Sequence, residues 1–156
     1  MSYYIDLQHA CSDEFPVSDI ILRKWIKLTL APFKSSAELT LRFVDETEMI
    51  NLNSTYRNLN KTTNVLAFPA TYPKEIELKF PLLGDIIICP SVLLQESKTL
   101  GVPLISHWAH IVIHGTLHLL GYDHIKEEEE AIMQEIEIKL LKNLGFNNPY
   151  ETQNEE

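Results

Sequence analysis

Three histidines form the part of the sequence best suited to chemistry. His114 and His118 are four residues apart, so on a helix their rings project from one face and can bind one metal ion. His124 follows Gly121, and a glycine can adopt the left-handed conformation that ends a helix and turns the chain back. Three neutral imidazoles with one open position are typical of catalytic zinc sites, where water is the fourth ligand. The spacing therefore predicts one zinc ion bound by His114, His118 and His124.

A similar spacing, HExxHxxGxxH, occurs in zinc peptidases, where a glutamate follows the first histidine. Gly115 takes that position here and has no group that can accept a proton from water, which argues against a peptidase. His107 and His110 continue the same helical stripe. A rise of 1.5 Å per residue puts His110 about 12 Å along the helix from His118. We expect His110 to have a structural role or to support a metal ligand, and His107 to be purely structural, rather than either to bind the same ion.

The elements that must position these residues follow from hydrophobic periodicity and helix-capping signals. The pattern predicts the order βαβαββααα and an α+β (mixed α/β) fold. We expect a small mixed, mostly parallel sheet of about four strands layered with about five helices. The metal-binding histidines would lie on a central helix and in the turn after it. The predicted strands are 3–7, 37–44, 64–68 and 85–89, and the predicted helices are 18–31, 45–56, 91–100, 103–120 and 126–144.

The chain length of 156 residues is suited to one domain, which we place at residues 1–146, followed by a flexible acidic tail at 147–156. A hydrophobic fraction of 45% is ordinary for a globular protein. The sequence has no apolar run of about 18 residues, and its start lacks the pattern of a signal peptide, so we expect a cytosolic protein. Cys11 and Cys89 form no CxxC motif and are expected to be reduced thiols.

The net charge of −9 would by itself argue against a nucleic-acid partner. The charge is unevenly distributed, however. Residues 123–156 hold 10 acidic and 3 basic side chains, whereas residues 1–122 hold 12 acidic and 10 basic ones. Residues 1–122 are therefore close to neutral overall, and their basic side chains are compatible with a local anion-binding surface.

Five sequence motifs together resemble a known family, the YbeY family of bacterial metal-dependent endoribonucleases that act in ribosomal RNA maturation. The first motif contains the three histidines, and the other four are short segments spread between residues 53 and 110. They are HGTLHLLGYDH at 114–124, NSTYR at 53–57, TNVLAFP at 63–69, GDI at 84–86 and HWAH at 107–110. Within these motifs, Ala67 stands where the family usually has serine.

The resemblance implies a cytoplasmic enzyme that uses histidine-bound zinc to cut single-stranded RNA. It implies a role in 16S rRNA 3′-end maturation and ribosome quality control, with the small ribosomal subunit and its assembly factors as partners and with neither DNA nor a membrane. The family's metal ligands map onto the three histidines of the motif, and its functional arginine maps onto Arg57. We therefore expect Arg57 and His114 to be catalytic and Arg57 to bind substrate. The polar side chains of Thr63 and Asn64 are expected to bind substrate through phosphate or base edges, with turn-forming hydrogen bonds as the open alternative.

Two other functions remain compatible with the residues. One is a metallohydrolase or metallopeptidase that acts on another class of substrate. The other is a non-catalytic ribosome assembly factor whose zinc is structural. A structural zinc site would need a fourth protein ligand, for which Cys89 is the candidate in the sequence.

Overall fold

A computed structural model describes residues 2–71, 81–122 and 126–151 of the chain. Four strands and five helices occur in the predicted order βαβαββααα. The strands are β1 (Ser2–His9), β2 (Ser36–Phe43), β3 (Val65–Pro69) and β4 (Leu82–Ile88), and the helices are α1 (Asp19–Leu30), α2 (Glu46–Arg57), α3 (Pro90–Leu100), α4 (Leu104–Leu119) and α5 (Glu127–Asn143).

The four strands form one sheet in the order β1-β2-β4-β3. The pairs β1–β2 and β2–β4 are parallel, with Leu7 opposite Leu41 and Leu41 opposite Ile86. β3 runs antiparallel to β4 at the edge of the sheet, with Leu66 opposite Ile87. The predicted α+β fold is confirmed, although the sheet is mixed rather than mostly parallel. The difference arises because β3 and β4, which follow each other in sequence, are antiparallel neighbours, a pairing that needs no helical crossover.

Helix α4 lies at the centre of the molecule and packs against α1, α3, α5, β3 and β4. Its inward face is fully buried at Trp108, Val112, Ile113 and Leu117. Full burial of a large apolar side chain contributes about 1.5 to 3 kcal/mol, so this face fixes α4 firmly on the sheet. The histidines of α4 are consequently attached to one of the best-packed elements of the fold.

Two glycines allow close approach of the backbone near this helix. A Cβ atom on Gly115 would lie 2.9 Å from Cγ2 of Ile86 on β4, so α4 lies almost directly on the sheet at that residue. Gly84 has φ of +133°, and a Cβ there would lie 2.1 Å from the backbone oxygen of Phe68 on β3. Larger residues at either position would separate the elements that surround the histidines.

The helix boundaries follow the predicted signals closely. Oγ of Ser18 accepts a hydrogen bond from the Ile21 amide at 3.3 Å, and Oδ1 of Asp45 accepts one from the Glu48 amide at 2.8 Å. Such N-terminal caps satisfy amides that have no partner within the helix. None of the helices in the described ranges is long and apolar enough to cross a membrane.

Candidate active site

His114 and His118 converge on the last two turns of α4, as the spacing predicts. The Nε2 atoms of the two rings are 3.0 Å apart, and both side chains are partly exposed. Two ligands of one tetrahedral zinc ion, each about 2.1 Å from the metal, lie about 3.4 Å apart. The two rings therefore fit a shared metal ion with little movement.

The predicted bend after these histidines is present. Gly121 has φ of +102°, its amide donates to the His118 oxygen at 3.0 Å, and the Tyr122 amide donates to the Leu117 oxygen at 3.1 Å. These bonds satisfy carbonyl groups at the end of the helix. His124 lies outside the described residues, so the third ligand stays a prediction.

The other nitrogen of His114 contacts a buried carboxylate. His114 Nδ1 lies 2.8 Å from Oε2 of Glu137, and His110 Nε2 lies 2.9 Å from Oε1 of the same group. The hydroxyl of Tyr150 also donates to Glu137 Oε1. Because an ionised carboxylate only accepts hydrogen bonds, Nδ1 of His114 donates to Glu137, and in the neutral ring Nε2, which faces His118, then carries the lone pair that can bind a metal. Glu137 thus orients the ring and fixes the tautomer that can bind metal.

Glu137 is a buried titratable group whose pKa departs strongly from its ordinary value. Its side chain is fully buried, and burial alone raises the pKa of a carboxyl group. The hydrogen bonds from His110, His114 and Tyr150 outweigh burial and lower the pKa of Glu137 from 4.5 to about 2. The same contacts act on Tyr150 in the opposite direction, since burial and the adjacent carboxylate raise its pKa. Glu137 is therefore ionised at neutral pH.

A second grouping of side chains could also hold a metal ion. One ligand atom each from His110, His114 and Glu137 lie within 4.8 Å of one another. In this grouping the metal would bind His114 on the Glu137 side of the ring rather than beside His118. Glu137 already accepts three hydrogen bonds there, and a cation would have to displace at least one donor. The geometry therefore favours hydrogen bonding on the Glu137 side and metal binding on the His118 side.

Arg57, Thr63 and Asn64 share one cavity with the two histidines. The cavity has a volume of about 240 Å³, and Val65 and Ala67 complete its lining. Because Ala67 has no hydroxyl, it adds no hydrogen-bonding group where the family usually has serine. All the site residues predicted within the described part of the chain therefore lie around one space.

The end of α2 explains how Arg57 reaches this cavity. Arg57 is the last residue of the helix, and Asn58 ends it in the left-handed conformation with φ of +56°. The buried Asn53 side chain donates to the Lys61 oxygen at 2.9 Å and so holds the loop that leads to Thr63. Among the described residues Arg57 has no ion-pair partner, and its side chain is exposed. Its guanidinium group is therefore available to an anion.

Asn64 is held by a carboxylate that does not line the cavity. Its Nδ2 donates to Oε1 and Oε2 of Glu96 at 3.2 and 3.3 Å. The buried His107 binds the same carboxylate, with its Nε2 2.9 Å from Oε1. His107 and His110 thus each contact a carboxylate that also contacts a residue of the cavity.

Two residues considered from sequence contribute no chemistry to the cavity. Gly115 faces the sheet beside Ile86, so a peptidase glutamate at that position would meet the sheet instead of the cavity. Cys89 is fully buried, and its sulfur lies 3.6 Å from the Ser91 hydroxyl. Within the described lining of the cavity there is no cysteine, so Cys89 does not supply a fourth ligand there.

Sequence reasoning missed three residues, namely Glu137, Tyr150 and Glu96. A signal for Glu137 exists in the sequence, because it lies four residues after Met133 and three before Leu140 on the buried stripe of α5. A carboxylate on such a stripe needs buried partners. The four consecutive glutamates at 127–130 differ from Glu137, because they form the first turn of α5, where acidic residues favour the helix dipole.

Comparisons with known proteins give one consistent result. The sequence model of the family described as Endoribonuclease YbeY matches residues 10–145. A protein named Endoribonuclease YbeY from Legionella pneumophila (strain Corby) is 54% identical over 156 residues, which cover 100% of this chain and 99% of that protein. The protein of the same name from Psychromonas ingrahamii is 48% identical over 163 residues, covering 99% and 100% of the two chains. The solution structure of TM1509 from Thermotoga maritima shares the fold, with a TM-score of 0.60 at 20% identity over 97% of this chain and 99% of that one.

Proposed function

Because the chain belongs to the YbeY endoribonuclease family, we propose that it is a zinc-dependent endoribonuclease that cleaves single-stranded ribosomal RNA. Its role would be 16S rRNA 3′-end maturation and ribosome quality control in the cytoplasm. The observation that carries the proposal is the single cavity in which Arg57 and Asn64 lie beside the converging rings of His114 and His118. This cavity combines an anion-binding group with a pair of metal-ligating nitrogens.

His114 and His118 would hold the zinc ion, with His124 as the predicted third ligand. When bound, zinc lowers the pKa of water to about 7 and so makes a nucleophile or base available at neutral pH. Glu137 keeps the His114 ring in the orientation that presents Nε2, and the packing of α4 limits movement of both rings. These residues therefore prepare the metal site before substrate arrives.

Arg57 would bind the phosphate at which RNA is cut. A guanidinium group donates two parallel hydrogen bonds to phosphate oxygens, and it stabilises the extra negative charge that develops on them in the transition state. The structure supports this role because Arg57 lines the same cavity as the histidines and has no carboxylate partner among the described residues. No carboxylate lines the described part of the cavity, so the charge on Arg57 is not neutralised there.

The two possible metal positions can be separated with two single variants. If zinc binds between His114 and His118, His118→Ala should abolish tight binding, while His110→Ala should weaken it much less. If zinc binds at His110, His114 and Glu137 instead, His110→Ala should abolish tight zinc binding, and His118→Ala should weaken it much less. Zinc content after dialysis and competition with a chelating dye would measure both.

The activity is tested with zinc-loaded protein and a single-stranded RNA that contains the 3′ end of 16S rRNA. We expect cleavage of this RNA but not of its duplex with a complementary strand, and no cleavage of casein. Cosedimentation with purified small ribosomal subunits tests the proposed partner. Full zinc occupancy without any RNA cleavage would contradict the proposed activity and would favour a non-catalytic assembly factor.

A further inference from the structure

Asn64 is anchored in the cavity through both its backbone and its side chain. Its backbone oxygen accepts a hydrogen bond from the Cys89 amide at 3.0 Å, which ties the residue to the end of β4. Its side-chain nitrogen donates to both oxygens of Glu96 at 3.2 and 3.3 Å. Glu96 is itself held by His107, which is only 7% exposed. The amide plane of Asn64 therefore has little freedom to rotate.

The partner of Asn64 also decides which end of its amide faces the cavity. An ionised carboxylate accepts hydrogen bonds but donates none, so the nitrogen of Asn64 must face Glu96 and the oxygen must point away from it. Asn64 lines the cavity and Glu96 is not part of the described lining. Because Nδ2 is occupied by Glu96, Oδ1 is the polar side-chain atom of Asn64 that is left to contact a ligand in the cavity, and it is a hydrogen-bond acceptor.

An acceptor at this position is poorly suited to phosphate. Phosphate oxygens also only accept hydrogen bonds, and the negative charge of Glu96 behind the amide repels them further. Arg57 in the same cavity is the suitable phosphate ligand. A volume of about 240 Å³ lies below the roughly 300 to 1,000 Å³ of pockets that enclose whole small molecules, which favours one phosphate and its ribose over a complete nucleotide.

We infer that Asn64 is a specificity-determining residue that accepts a hydrogen bond from a ribose 2′-hydroxyl, and that Glu96 and His107 position it. The inference rests on the proposed function, since it concerns the substrate of the same cavity. The 2′-hydroxyl is the donor that distinguishes RNA from DNA, and it lies next to the phosphate that Arg57 would bind. Asn64 would thus make the site selective for RNA without reading the base.

The test compares zinc-loaded protein on a single-stranded RNA and on the DNA of the same sequence, under conditions in which gels show that the RNA stays intact. We expect the parent protein to bind the RNA more tightly. Asn64→Ala should weaken RNA binding by about 3- to 10-fold, the size expected for one hydrogen bond, and leave DNA binding unchanged. Glu96→Gln should lower the RNA preference in the same direction, because glutamine can also donate and so permits the Asn64 amide to flip.

Glu128→Gln is the matched control for Glu96→Gln. It makes the same change of charge at an exposed residue of α5, and it should leave both affinities unchanged. Equal weakening of RNA and DNA binding by Asn64→Ala would overturn the inference and indicate a contact to the base or phosphate. Failure of the parent protein to bind either oligonucleotide would contradict the proposed function itself, and the inference with it.

Discussion

Replacing Glu137 with glutamine should weaken zinc binding although Glu137 contacts no atom of the predicted ion. The carboxylate accepts from His110, His114 and Tyr150, and it is fully buried. A glutamine has one acceptor oxygen for these donors. If that oxygen stays with His110 and Tyr150, the amide nitrogen faces Nδ1 of His114. The His114 proton must then move to Nε2, where it blocks metal binding.

The expected size of the effect follows from the loss of a partner that orients a metal ligand. Such changes typically cost 10- to 100-fold in metal affinity, or about 1.4 to 2.7 kcal/mol. Because metal binding stabilises the folded state by mass action, the rise in Tm on adding zinc should shrink by about 3 to 10 °C for a chain of this size. The Tm without zinc should fall as well, so the difference between the two Tm values is the relevant quantity.

The assay is competition for zinc with a chelating dye, together with melting curves recorded with and without zinc. Glu128→Gln, on the exposed surface of the same helix, serves as the control and should behave like the parent protein. An unchanged zinc affinity in Glu137→Gln would refute the control of the His114 tautomer by Glu137. A complete loss of zinc in both Glu137→Gln and His110→Ala would instead show that these side chains bind the ion directly.

Three further predictions concern the same region. Arg57→Ala should keep the zinc content and Tm of the parent protein, while its rate of RNA cleavage falls about 100- to 1,000-fold. Arg57→Lys should recover only part of the rate. Cleavage by Arg57→Ala at the parental rate would disprove the proposed role. Gly121→Val should weaken zinc binding, because valine disfavours φ of +102°, and an unaltered zinc affinity would mean that the bend is unimportant. Zinc-free protein should lose stability in acid, since the pKa of Glu137 is lowered from 4.5 to about 2. The unfolded chain then takes up the proton first as pH falls, and urea unfolding should show a loss of about 2 kcal/mol between pH 5 and pH 3 that is absent in Glu137→Gln.

The fold was predictable largely because its signals are local. Ser18 and Asp45 cap their helices as expected, and the glycine at 121 ends α4 where the pattern places it. The orientation of β3 was harder to predict from sequence, since the pairing of a strand depends on distant parts of the chain. Periodicity identifies a strand but does not give the direction of its neighbour.

The candidate site also contains residues that local spacing predicts and residues that it does not predict. His114 and His118 are neighbours on one helix, so their spacing alone predicts their convergence. Arg57 was assigned through the resemblance and Asn64 from the hydrogen-bonding capacity of its side chain, and both line the same cavity. Glu137 lies 23 residues after His114, and no local rule pairs a residue of α4 with a residue of α5. Only the buried position of this glutamate on an apolar stripe could have drawn attention to it.

The dependence of His114 on a later helix has a consequence for the order in which the protein matures during synthesis. The ribosome makes α4 before it makes Glu137, and Tyr150 follows 13 residues after Glu137. A nascent or interrupted chain that ends before α5 therefore contains His114 and His118 but lacks the carboxylate that fixes the ring. In such a fragment Glu137 would not fix the tautomer of His114, and we expect the proposed zinc ion to bind weakly. Tight binding of the proposed metal, and with it any cleavage that requires one, would thus be confined to chains whose synthesis has passed α5.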